Sequence, residues 1–109
     1  MTEWTRECVR ACLACHEACL RAAAYLQASE AAVAHVRLLF STAEIVKATV
    51  NLLRGDLDVA RQASPVCMEL CERAARYCER FPDDAAMRAC TEACRACAMA
   101  WRPPVGTAA

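Results

Sequence analysis

Ten cysteines fall at spacings of three, four or seven residues within three stretches of the chain, Cys8 to Cys19, Cys67 to Cys78 and Cys90 to Cys97. At about 100° per residue, Cys8, Cys12, Cys15 and Cys19 occupy a wedge of about 60° on one helix face. The same arithmetic places Cys67, Cys71 and Cys78 within about 40°, and Cys90, Cys94 and Cys97 within about 60°. Every cysteine therefore belongs to one of three helical stripes. Regular helix geometry does not orient cysteines three or four apart for a relaxed disulfide, so the pattern reads as free thiols.

The rest of the sequence agrees with helices. The chain has 109 residues, only two glycines and 6% aromatic residues, and no Pro/Gly/Ser-rich stretch divides it. Such a composition suits closely packed helices, and the length suits a single domain over 1–109. The expected fold is all-α, an antiparallel up-down-up-down four-helix bundle with a cysteine-lined core. The helices are expected at about 3–28, 29–54, 57–80 and 83–101, with a C-terminal tail over 102–109. Ser29 is read as the N-cap of the second helix and Gly55 as its stop. Asp56 or Asp58 starts the third, and Asp83 caps the fourth after the turn Phe81-Pro82-Asp83-Asp84. Pro65 is either a kink or a first helical position after Ser64, and a bend is expected there. Pro103-Pro104 forbids further helix.

In an antiparallel bundle the three stripes interleave. From the end with the first and third turns, the axial order runs Cys78, Cys90, Cys19, Cys71 with Cys94, Cys15, Cys97, Cys67, Cys12, Cys8. At about 1.5 Å rise per residue the rungs lie a few ångströms apart. Soft thiolates select Cu(I), zinc or iron–sulfur clusters. Cu(I) accepts two or three sulfurs, which neighbouring rungs supply repeatedly. Structural zinc wants a closed tetrahedron and clusters rely on loop-borne cysteines, and neither loop type occurs here. Cysteine also serves as a small buried hydrophobe, but ten on three aligned faces exceed what packing requires. The expected metal ligands are all ten cysteines, with Cu(I) as the metal.

Other features narrow the function. Thirteen basic and thirteen acidic residues cancel and are interspersed, so neither nucleic acid nor a membrane is an expected partner. The N-terminus lacks a signal-like pattern and no apolar run is long enough to span a bilayer, which leads to an expected cytoplasmic location. No Ser/His/Asp set, carboxylate pair or phosphate loop is present, and no enzyme activity is expected.

The second helix carries no cysteine; its inward face is expected to be His35, Leu39, Thr42, Val46 and Thr49 or Val50. His35 lies near the level of Cys78 and Cys90, either as an added ligand and metal-transfer point or as a partly exposed histidine at a helix end. His16 falls about 70° off its stripe and reads as a flanking residue. Met87 flanks the His35 mouth, whereas Met68 and Met99 turn away. Trp4 and Trp101 lie toward the opposite end, where their bulk would close the tube or simply pack, so metal is expected to enter at the His35 end.

The chain resembles the cytosolic, cysteine-rich branch of the four-helix bundle copper storage proteins. The resemblance covers nearly the whole chain. It rests on Cys8-x-x-x-Cys12-x-x-Cys15-His16-x-x-Cys19, on Ala43-Glu44-Ile45 through Asn51-Leu52-Leu53-Arg54-Gly55, on Val66-Cys67-x-x-x-Cys71-Glu72-Arg73 through Cys78-Glu79-Arg80, and on Met87-Arg88-x-Cys90-x-Glu92-Ala93-Cys94-Arg95-x-Cys97. It implies several Cu(I) ions held between cysteine pairs, copper storage or buffering, a homo-oligomer that is often a tetramer, and His or Met at the open mouth, the situation of His35 and Met87. Where relatives commonly have cysteine, this chain has Thr42, Val46, Ser64, Ala74 and Trp101. The tube is thus partly lined, with a ceiling of about five two-thiolate sites. The alternative is a thiol redox or metal-sensing helical module binding zinc or a cluster.

Overall fold

The computed structural model describes residues 1–28 and 33–102. It contains four helices, α1 (Glu3–Ala28), α2 (Val33–Gly55), α3 (Leu57–Cys78) and α4 (Ala85–Ala100). The expected Ser29 cap and the tail beyond Arg102 lie outside the described residues. α1 packs against α2 and α4, and α3 packs against the same two, which makes a four-helix bundle. Along the α1–α4 seam Cys12 meets Cys97, Cys15 meets Cys94 and Cys19 meets Cys90, so the two helices run antiparallel.

The starts of α1, α3 and α4 each use a side chain to satisfy a backbone N–H that has no partner inside the helix. The Thr2 hydroxyl oxygen accepts from the Thr5 N–H at 3.1 Å, the Asp56 carboxylate from Val59 at 3.2 Å and the Asp84 carboxylate from Met87 at 2.9 Å. The cap of α4 is therefore Asp84, one residue later than its neighbour Asp83 expected from sequence. The Asp84 N–H closes the preceding turn onto the Phe81 carbonyl at 3.2 Å, which places Pro82 and Asp83 inside the turn. Asp84 is left extended, at φ −97° and ψ 125°, as an N-cap requires. That N–H···carboxylate bond is also what holds the Asp84 carboxyl below its usual range.

Pro65 sits within α3 and does not start a new helix. A proline here deprives the Arg61 carbonyl of its donor four residues on. The Ser64 hydroxyl donates to that carbonyl at 2.9 Å, which replaces the missing bond locally and lets the helix continue.

The core is built from small side chains. Ala22, Ala23, Ala60 and Ala74 are fully buried, and so are all ten cysteines. Small residues let the helix axes approach, and this brings the sulfur stripes within contact of one another. α2 supplies the larger aliphatic wall, Leu39, Val46 and Val50, also fully buried. Thr42 and Thr49 face the same interior, and each donates its hydroxyl to the carbonyl four residues back, Leu38 and Ile45, at 2.7 Å. From Leu39 to Val50 the inward face expected for α2 is the one observed, with the Thr42 and Thr49 hydroxyls satisfied within the helix, whereas His35 is only half-buried.

Candidate metal centre

The three cysteine faces converge on one axis. Cys12 and Cys97 place their sulfurs 3.3 Å apart, Cys15 and Cys94 3.5 Å, and Cys15 and Cys71 3.8 Å. Toward the other end Cys19 lies 3.6 Å from Cys94 and 3.8 Å from Cys90, while Cys90 and Cys94 are themselves 3.8 Å apart. Cys67 joins the column through Cys12, Cys71 and Cys97, and Cys78 joins it through Cys90. Cys8 closes the series by donating its thiol to the Ala100 carbonyl at 3.1 Å. Cys15 with Cys94 and Cys71, and Cys19 with Cys90 and Cys94, are neighbours in the axial order read from spacing, whereas Cys12 with Cys97 and Cys90 with Cys94 skip one position. All ten thiols are free, and the separations exceed the roughly 2 Å of a disulfide by a wide margin.

Two groups of three sulfurs lie close enough to share one ion. Cys15, Cys19 and Cys94 form one, and Cys15, Cys71 and Cys97 the other, with all ligand atoms in each within 4.8 Å. Cys15 belongs to both. No carboxylate or imidazole takes part in either group among the described residues.

Burial and mutual hydrogen bonding set the charge state of the column. A buried thiol resists losing its proton because the thiolate is poorly solvated. Burial, helped by the Glu7 carboxylate and Cys67, pushes Cys8 up to about 11. Cys12 is raised chiefly by its bond to Cys67, Cys15 by its bond to Cys19, Cys71 by its bond to Cys15 and Cys78 by its bond to Cys90. Cys19 and Cys67 move the other way. Cys19 accepts from Cys15, Cys90 and Cys94, and Cys67 from Cys12, Cys71 and Cys97, and burial opposes both shifts without overcoming them. Each half of the column thus has one sulfur surrounded by donors and best placed to carry negative charge. A cation bound there replaces several protons at once.

The family scan agrees with this geometry, because a family model described as copper storage protein matches residues 1–104. The chain belongs to the copper storage protein family. Neither curated proteins nor solved structures returned a match. In this copper storage family member the buried cysteines occupy the core of the bundle. No described helix is long and apolar enough to cross a membrane.

The two ends of the column differ. At the Cys8 end, Trp4 and Trp101 meet edge to face with ring centroids 5.9 Å apart. The Arg61 guanidinium lies 5.7 Å from the Trp4 ring, and the Trp4 indole donates to the Arg102 carbonyl at 3.2 Å. Trp101 is buried, and its indole N–H has no acceptor among the described residues. The indoles pack over this end, as their stripe positions implied.

At the opposite end His35 is half-buried and stacks on Tyr77, outside the sulfur groups. His16 bonds the Ala43 carbonyl through Nδ1 at 2.8 Å, so it links α1 to α2 and stays off the column. Met87 is fully buried beside the Cys90 face, whereas Met99 is exposed. The part played by Tyr77 was not read from sequence. The available signal was an aromatic pair one helical turn apart, Tyr77 and Phe81, at the level assigned to His35.

Proposed function

We propose that this protein binds several Cu(I) ions on its core thiolates and holds them for storage, buffering or detoxification in the cytoplasm. The observation that carries this reading is the set of ten buried free thiols, seven of which, Cys12, Cys15, Cys19, Cys71, Cys90, Cys94 and Cys97, place neighbouring sulfurs 3.3 to 3.8 Å apart. Cu(I) is a soft ion suited to such sulfur ligands. Among the described residues the groups on offer contain three sulfurs each, a number that suits an ion of low coordination. Burial of the ions slows their loss, and a reducing compartment keeps the thiols available. All ten cysteines, Cys8, Cys12, Cys15, Cys19, Cys67, Cys71, Cys78, Cys90, Cys94 and Cys97, are assigned to cargo.

The deciding experiment is an anaerobic Cu(I) titration of the reduced protein against a chromogenic chelator, with thiols counted in parallel. Several ions held tightly are expected, up to about one per two cysteines. One ion or none would overturn the storage reading in favour of thiol redox or metal sensing.

His35 is proposed as the point at which copper is handed to the column. His35→Ala is expected to slow Cu(I) loading from a chelator in stopped-flow while leaving the capacity unchanged; an unaltered rate removes His35 from the pathway. The protein is further proposed to be a homotetramer. Val33, Val66 and Met99 are each more than half exposed and offer apolar surface for assembly. Light scattering should then return a mass close to four times 11.9 kDa, and a monomer mass rejects the assembly.

A further inference from the structure

The Cys78 end of the column is closed by aromatic rings. His35, at the start of α2, lies face to face on Tyr77 of α3, with ring centroids 3.8 Å apart and planes 17° from parallel. Phe81, one turn further along, meets Tyr77 edge-on at 5.4 Å, and the Arg80 guanidinium lies 5.8 Å from the same ring. Tyr77 is thus gripped from α2 and from the α3–α4 turn together. It is 7% exposed, and the residue that follows it, Cys78, is fully buried. Leu26 and Met87 continue the faces of Cys19 and Cys90 past the last sulfur and are buried as well. At the end where metal entry was expected from sequence, the sulfurs are thus covered among the described residues.

The stack has two consequences for passage. It spans the seam between α2 and α3, and it holds the imidazole against a ring, where His35 joins neither three-sulfur group. Stacked aromatic contacts are weak enough to part on thermal fluctuation.

We propose that Tyr77 is the gate residue of this end: its ring pins His35 across the α2–α3 seam, keeps Cys78 from solvent, and must release His35 before an ion can pass. The copper cargo in this proposal rests on the storage reading, but the gate is tested without metal. The test is N-ethylmaleimide labelling of the reduced, metal-free protein, with the rate at each cysteine mapped by mass spectrometry.

Loss of an aromatic pair corresponds to a change of about three- to tenfold in an equilibrium constant. Tyr77→Leu keeps apolar bulk and removes the stack. Cys78 in that variant is expected to label about three- to tenfold faster than in the parent, with Cys8 and Cys12 at the other end unchanged. Tyr77→Phe retains the ring and is expected to label like the parent. A Cys78 rate unaffected by Tyr77→Leu overturns the gate. So does an equal acceleration at all ten cysteines, which would report general loosening, and so does an acceleration in Tyr77→Phe as large as in Tyr77→Leu. Should Tyr77→Leu fail to fold, Phe81→Ala removes the buttress at an exposed position, and an unchanged Cys78 rate there overturns the proposal equally. A parent that holds no copper yet shows the selective Cys78 effect would end the storage reading and leave the gate standing.

Discussion

Cys15→Ala is expected to abolish the tightest copper binding while the bundle stays folded. Cys15 is the one sulfur shared by the two three-sulfur groups, so its loss reduces Cys15/Cys19/Cys94 and Cys15/Cys71/Cys97 to pairs in a single step. Removing an outer-shell partner of a metal ligand costs roughly 10- to 100-fold in affinity, and removal of a shared ligand should exceed that. We therefore expect the affinity of the tightest ions to fall by more than about 100-fold, and the capacity to fall by about two ions. The structural cost is modest, because only one small buried atom is deleted; about 1 kcal/mol is the scale for a deletion of that size. Cys8→Ala is the informative control. Cys8 bonds a backbone carbonyl and belongs to neither group, so its loss should remove one ion at most and leave the tightest binding intact. Chelator competition on the two variants, with circular dichroism to verify helix content, separates these outcomes. If Cys15→Ala retains the tightest ions, the ions do not sit in the shared groups.

Copper loading is expected to raise the melting temperature by more than 20 °C, and to do so unevenly over the bundle. Each site at 100 times its dissociation constant contributes about 2.7 kcal/mol, and for a domain of this size 1 kcal/mol shifts the midpoint by about 4–8 °C. Two occupied sites already reach that range. The sulfurs come from α1, α3 and α4, so bound ions tie these three together. α2 presents Leu39, Thr42, Val46 and Val50 and holds no sulfur. Hydrogen exchange on the loaded protein should accordingly show strong added protection in α1, α3 and α4 and little in α2. Equal gains in all four helices would mean that the ions stiffen the bundle as a whole, and not through the column.

The same geometry leads us to expect thiols that resist oxidation, to be checked by thiol counts after exposure to peroxide. Attack on a thiol pair requires a thiolate and access, and the column offers little of either. Most of its sulfurs are held as thiols by burial and by hydrogen bonds to one another, and none is exposed. The two sulfurs pulled toward the thiolate, Cys19 and Cys67, lie inside that shield.

Much of this was legible in the chain. A stripe is a local property, so the spacings of Cys8 to Cys19, Cys67 to Cys78 and Cys90 to Cys97 were sufficient to assign three helices and their inward faces. The buried side of α2 was legible for the same reason, and of the two starts offered for α3, Asp56 or Asp58, the structure takes Asp56. The places where reading failed or stayed open depend on groups that meet through the turns or across the bundle. Asp83 and Asp84 both offer a capping carboxylate, and only the closing of the turn onto Phe81 decided between them. Pro65 was open between a kink within a helix and a helix start, and the structure places it inside α3, with the Ser64 hydroxyl on the Arg61 carbonyl. His35 was placed at the correct level, but its partner is a ring from another helix that periodicity does not connect to it.

The amino-acid sequence by itself determined that ten thiols line the inside of a helical bundle, because a 3.6-residue period and burial of small side chains leave them no other face. Which sulfur touches which was decided only by the tertiary structure. The axial register of α1 against α3 and α4 brings Cys12 to Cys97 and makes Cys15 common to two groups. A slide of α1 by a single turn, about 5.4 Å, would keep every stripe and break each of these pairings.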